Sequence, residues 1–200
     1  MYALNGMRAR FLKEGFEMTV KEIIEAAALE LGIFSTVHAY LENGDETGKQ
    51  KCENLLRCFN IVENELALDY LPLNAEDEFE SETGVIYYTQ FEHSVVRIIA
   101  VEDEWGNAVP FKLFPKYLKT QNGKVRVVYS YTPKEKKLDE NSDFTLQASV
   151  RLFSYGVATE YALANGLFEE ATVWDKKYKD AVQAAYQLRP CKKIQSRRWV

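Results

Sequence analysis

The sequence predicts a mixed α+β fold: a four-helix unit with an antiparallel β module inserted between its second and third helices. Two changes of period carry this expectation. Apolar residues recur at helical spacing up to Leu71, give way to β-branched and aromatic runs after Pro72, and return to helical spacing near Phe144. The third observation is bulk. Of 200 residues, 46% are hydrophobic, 13% aromatic and 28% charged. That supplies one core plus a small satellite and is far from a disordered or fibrous composition.

Residues 1–18 are expected to be an extension outside the fold. They carry Arg8, Arg10 and Lys13, without the continuous apolar stretch of a secretory signal and without helical or strand period. Lys13-Glu14-Gly15, back-translated, can spell a purine-rich ribosome-binding site just ahead of Met18, so translation is expected to begin at Met18. Thr19-Val20-Lys21-Glu22 then has the form of a capping box. Ile23, Ile24, Ala27, Ala28 and Leu31 follow at helical spacing and Gly32 suits the position after a helix end, which predicts a helix over about 19–31. Residues 42–50 read as a polar loop. Thr47 with Gln50 reads as a second capping box. Cys52, Leu55, Leu56, Phe59, Val62, Leu66 and Tyr70 mark one stripe of a long helix that Leu71-Pro72 stops.

Asn74 to Glu82 reads as an acidic loop. Val85–Thr89, Val95–Val101 and Val109–Phe114 read as strands, and Asn122-Gly123 is a strong hairpin cue. Lys124 to Tyr131 alternates, with Val125, Val127, Tyr129 and Tyr131 on one face. Residues 79–133 are thus expected to hold about four to five strands, within an insertion spanning 73–142. Leu146, Val150, Phe153, Val157, Tyr161 and Ala164 mark a third helix ending at Asn165-Gly166. Leu167, Ala171, Trp174, Tyr178, Val182 and Ala185 line a fourth, with Glu169 and Glu170 in its first turn, where the helix dipole favours acids. The helical unit would comprise residues 19–72 and 143–189, leaving 190–200 as a basic tail.

Signatures of chemistry are thin. Cys52, Cys58 and Cys191 form no C-x-x-C pair and are expected to be reduced thiols. Together with His38 and His93 they are too few and scattered for zinc. Gly44-Asp-Glu-Thr-Gly48-Lys49-Gln50 is one residue short of a phosphate loop and lacks the hydroxyl that would hold magnesium, so a helix-start loop accounts for it. No serine sits in a G-x-S-x-G elbow. No catalytic residue, cofactor or metal is therefore expected. The net charge of −5 disfavours coating of nucleic acid by phosphate neutralisation, and no apolar run reaches membrane-span length.

Charge distribution is more informative than its total. Glu63 to Glu82 holds eight acids and no Lys or Arg, whereas Arg189 to Arg198 holds five bases and no acid. A solvated face and a solvated tail would account for both blocks. The tail residues Arg189, Lys192, Lys193, Ile194, Arg197, Arg198 and Trp199 combine the residue types that anchor interfaces, which favours a docking arm.

Gly123-x-Val125-x-Val127-x-Tyr129-x-Tyr131-x-Pro133, followed by Gly156-Val-Ala-x-Glu160-Tyr161-x-Leu163-Ala164-x-Gly166-Leu167-Phe168-Glu169-Glu170-Ala171 and then Trp174 and Tyr178, resembles the head–tail adaptor (connector) proteins of tailed bacteriophages, especially the tail-tube adaptor type. The resemblance spans about Thr19 to Val200 and rests on element order as much as on motif. It implies a non-enzymatic virion protein at the head–tail interface, made in the host bacterial cytoplasm. It implies as partners the portal protein, further copies of itself in a ring of about twelve, a tail or stopper protein, and passing double-stranded DNA without sequence-specific contacts; no membrane is involved. By the same resemblance the helices would form the ring wall, the β module would face the tail, and the basic tail would dock on the portal or a neighbour. Glu76, Asp77, Glu78, Glu80 and Glu82 would face the channel, where acids offer DNA no phosphate-binding sites. Two rival readings are an undetected enzyme and a monomeric module binding a glycan or peptide through Tyr87, Tyr88, Trp105, Tyr129 and Tyr131.

Overall fold

The computed structural model describes residues 18–187. Expectations for residues 1–17, for Cys191 and for the tail residues Arg189, Lys192, Lys193, Ile194, Arg197, Arg198 and Trp199 lie outside the described residues. The helices are α1 Val20–Glu30, α2 Phe34–Asn43, α3 Glu46–Glu65, α4 Val150–Ala164 and α5 Phe168–Gln187. The strands are β1 Leu73–Ser81, β2 Val85–Tyr87, β3 Ser94–Asp103, β4 Lys112–Leu113, β5 Tyr117–Lys119 and β6 Gly123–Thr132. The α+β class with an inserted antiparallel module is as expected. The helical unit gains α2, so the insertion falls between α3 and α4. That helix is faint in sequence because it has no side-chain cap and buries only Val37.

The capping box at α1 forms as its residues demand. Thr19 Oγ1 accepts from the Glu22 amide at 3.2 Å, and Glu22 Oε2 accepts from the Thr19 amide at 3.3 Å. At α3 the cap is Asp45, whose carboxylate accepts from the Thr47 amide; the expected Thr47–Gln50 box does not form because the helix has already started at Glu46. A π turn at Leu66–Tyr70 ends α3 ahead of Pro72. Ser149 caps α4, so the expected stripe is cut at its front: Leu146 precedes the helix and is 95% exposed.

The helical core gathers Val20, Ile23, Ile24 and Ala27 of α1, Leu55, Phe59 and Val62 of α3, Leu152, Phe153 and Val157 of α4, and Tyr178 and Val182 of α5. Met18, placed with the extension by the sequence reading, packs into this core. Gly156 lets three helices meet: a β-carbon there would lie 2.7 Å from Val62 Cγ1 and 2.9 Å from the Tyr178 ring.

Of the expected loop Asn74–Glu82, all but Glu82 belongs to strand β1. Its inward set, Leu73, Ala75, Asp77 and Phe79, contains an acid and an alanine, which masks the two-residue period. β6 is the centre of one sheet, antiparallel to β1 from Leu73↔Tyr131 to Ser81↔Gly123 and antiparallel to β3 on its other side. β3 is irregular twice, with register shifts between Val95 and Arg97 and between Ile98 and Ala100. The second sheet has the order β2-β5-β4. The Asn122-Gly123 turn therefore closes no hairpin: it passes the chain from β5 in one sheet to β6 in the other. Both sheets cover a core of their own, with Ile86, Phe91, Ile98, Val101, Val109, Leu118, Val125, Val127 and Tyr129.

The returning segment, residues 134–149, is fastened to both α1 and α3. Asn60 binds the Lys136 main chain in both directions, at 2.7 and 3.2 Å. Three residues along α3, Glu63 Oε1 accepts from Ser142 Oγ at 2.6 Å and from the Asp143 amide at 3.1 Å. The amides of Val20 and Lys21 donate to the carbonyls of Glu140 and Leu138, and the Ser142 amide donates to the Met18 carbonyl. The charged run Lys134–Glu140 is thus tied down by backbone and side-chain bonds.

Candidate interface surfaces

The acidic row of β1 splits by strand alternation. Glu76, Glu78 and Glu80 are exposed on one face, and Glu82 is exposed just past the strand end. Asp77 points to the other face, where it accepts from the buried Tyr129 hydroxyl at 2.9 Å and from the Glu92 amide at 3.0 Å. Asp77 is therefore a structural anchor and leaves the exposed acidic set. Burial, followed by that bond, pushes the Tyr129 phenol up to about 12, so it stays a donor. The outward acids are partly compensated. β6 places Lys124 opposite Glu80 and Arg126 opposite Glu78, and Arg126 lies 3.6 Å from Glu78 and 4.0 Å from Glu102. A shallow hollow of about 330 Å³ between these strands mixes both signs, with Glu78, Glu80, Asp103, Lys124 and Arg126 on its walls.

A second concentration of acids is built from three helices. Glu65 at the end of α3, Glu160 on α4 and Asp175 on α5 border a groove of about 350 Å³, with Leu163, Phe168 and Ala171 supplying apolar surface. Among the described residues no Lys, Arg or His lines it. Asp175 is bonded to Lys179 one turn on, at 2.7 Å. Among the described residues Glu160 has no ion pair, and Glu65 has only the Tyr178 hydroxyl at 3.4 Å. Burial, and next the charge of Glu160, hold the Glu65 carboxyl above the usual range, while burial raises the Tyr178 phenol. Phe168 is 67% exposed at the groove mouth. Sequence reading places Glu65 in the acidic block and Glu160 in the resemblance motif. Their meeting was not legible, because they lie 95 positions apart and come together only when α3 packs on α4, at contacts such as Gly156 on Val62 and Phe59 on Phe153.

The groups that could do chemistry have structural duties. Cys52 and Cys58 are buried, and burial pushes both thiols up to about 11. His93 stacks on Tyr131 with centroids 4.2 Å apart. His38 Nδ1 lies 2.9 Å from Glu25 Oε1, and Glu42 of the same cluster is bonded to Lys21 at 2.5 Å. Three donors converge there, but a lysine already neutralises one of them, so the cluster is an ion-paired seam joining α1 to α2. The loop at Gly44–Gln50 is a helix junction: Gly44 takes a left-handed conformation with φ of 72°, and a side chain at Gly48 would collide with the Thr36 carbonyl.

The five aromatics of the binding-module reading do not assemble. Tyr129 is fully buried, Tyr88 and Tyr131 are half-buried, and only Tyr87 and Trp105 are exposed. Trp105 is held out by a turn in which Asp103 accepts from the Asn107 side-chain amide and from the main-chain amides of Asn107 and Trp105; the Asn107 side chain above all keeps the Asp103 carboxyl below its usual range. Among the described residues no helix is long and apolar enough to cross a membrane. No protein-family model matches the chain. A comparison with curated proteins finds no match either.

Proposed function

We propose that this chain is a structural protein of a tailed-phage neck. It is a non-enzymatic adaptor whose copies form a ring that joins the portal to the tail and extends the DNA channel. The observation that carries this reading is the division of labour within one chain. A helical unit and a β module each own a core, in the element order that the resemblance calls for, and the connecting segment is bonded to α1 and α3. A firm joint of that kind suits a part that must transmit position from one ring to the next. The exposed acids Glu76, Glu78, Glu80 and Glu82 are the channel-facing candidates, with Asp77 withdrawn to the interior side of its strand. Partners remain as the resemblance implies: portal, self, a tail or stopper protein, and DNA in transit.

The test is assembly. Deleting Lys192–Val200 should leave the helical content intact and abolish co-purification with the portal. Trp199→Ala should give a milder loss, on the scale of about 2 kcal/mol for an interface anchor. Tailed, infectious particles that still contain the truncated chain would refute the docking-arm role.

A further inference from the structure

The inference here rests on the ring reading and supplies the contact between neighbours. We propose that the groove bordered by Glu65, Glu160, Leu163 and Phe168 receives the basic arm, residues 188–200, of a second copy of this chain. The first argument is charge complementarity. Among the described residues the groove is lined by acids without a base, and two of those acids lack a cation partner. The arm carries five bases and no acid between Arg189 and Arg198. The second is chemistry of contact. An apolar wall of Leu163, Phe168 and Ala171 beside half-buried carboxylates suits a segment that alternates bases with Ile194 and Trp199, because both demands are met by one strand of chain. Burial is what raises Glu65, and an arriving ammonium or guanidinium offsets that cost.

The third argument chooses the occupant. The groove sits by the Phe168–Asp175 end of α5, whereas the arm follows Gln187 at the other end, about 18–28 Å away at 1.5 Å per residue. An arm returning along its own helix would pass Lys176 and Lys177 against one acid, Asp180, with Lys179 already bonded to Asp175, so the stretch it must cross is net positive and offers it no acidic seat. An arm reaching forward joins the tail end of one copy to the head end of the next. Such a heterologous contact generates a ring when its rotation closes.

The chain carries its own reporter in Cys191. In the full-length protein, Thr172→Cys or Leu163→Cys places a thiol at the groove, while Cys52 and Cys58 stay buried. Mild oxidation followed by non-reducing electrophoresis should give a ladder of dimers and higher species. Adding Cys191→Ser should remove it, and Glu104→Cys, on the exposed β3 turn, should not produce it. Glu160→Lys should lower the ladder yield about tenfold, as expected for reversing a partly shielded charge contact. A disulfide confined to monomers overturns the second-copy occupant. No ladder at either groove position, or an equal ladder from Glu104→Cys, overturns the groove. A ladder in protein that never joins a portal leaves this contact standing and sinks the neck assignment; portal binding without a ladder does the reverse.

Discussion

Glu63 shows how one side chain couples folding to pH. It is 1% exposed, and its Oε2 has no hydrogen-bond partner among the described residues. Burial holds its carboxyl above the ordinary 4.5, opposed by the bonds from Ser142 and Asp143 and by the charge of Lys136. The folded chain therefore binds this proton more tightly than the unfolded chain. The stabilisation is complete below pH 4.5 and is lost as pH rises through the raised folded value. Urea unfolding at pH 5 and pH 8 should show a smaller pH-dependent fall for Glu63→Gln than for the parent; parallel falls would contradict this. Thiol reactivity follows the same logic of burial. With their thiols pushed up to about 11, Cys52 and Cys58 should resist a thiol reagent at pH 7 until denaturant is added, and their rapid labelling in the native protein would show that α3 opens. At Gly156 the constraint is steric. Gly156→Ala should cost about 1–3 kcal/mol through overpacking against Val62 and Tyr178, measured by thermal or urea unfolding.

Among the elements, α1 is set most plainly by its own residues. Thr19→Ala should destabilise the protein by about 1 kcal/mol in chemical unfolding, because the Glu22 amide loses its acceptor while the Glu22 carboxylate keeps only the backbone amide of residue 19. This helix was legible in sequence from cap to Gly32, as were β6 and the Asn165-Gly166 stop, because local chemistry and burial agree there. α2 was not, since a helix that buries one residue leaves no apolar stripe. β1 was misread for the opposite reason: its acids look solvated, yet Asp77 is spent on Tyr129, a partner 52 residues away that no local pattern announces. Asn122-Gly123 had the right turn chemistry and the wrong consequence, because the strands it joins pair elsewhere. The acidic groove combines Glu65, Glu160 and Asp175 from three helices, so it becomes visible only when the helices pack.

Taken together, the described residues form two cores that share Tyr131, which packs against both. Damage to one should be felt locally. Leu118→Ala, at a fully buried β5 position, should cost about 3 kcal/mol. Hydrogen exchange should rise across 73–132 while α1 and α4 keep their protection; uniform loss of protection would mean that the two cores unfold as one. Residues 134–149, which follow the module, are fastened to α1 and α3 through Asn60 and Glu63, so weakening the module core should leave that attachment in place.

The two irregularities of β3 bear on storage of the protein at high concentration. β1 and β3 are the outer strands of their sheet. Each register shift twists β3 away from the straight template that an incoming strand needs, and β1 presents Glu76, Glu78 and Glu80 at the opposite border. Fibre growth by strand pairing at the margins of this sheet is thereby disfavoured.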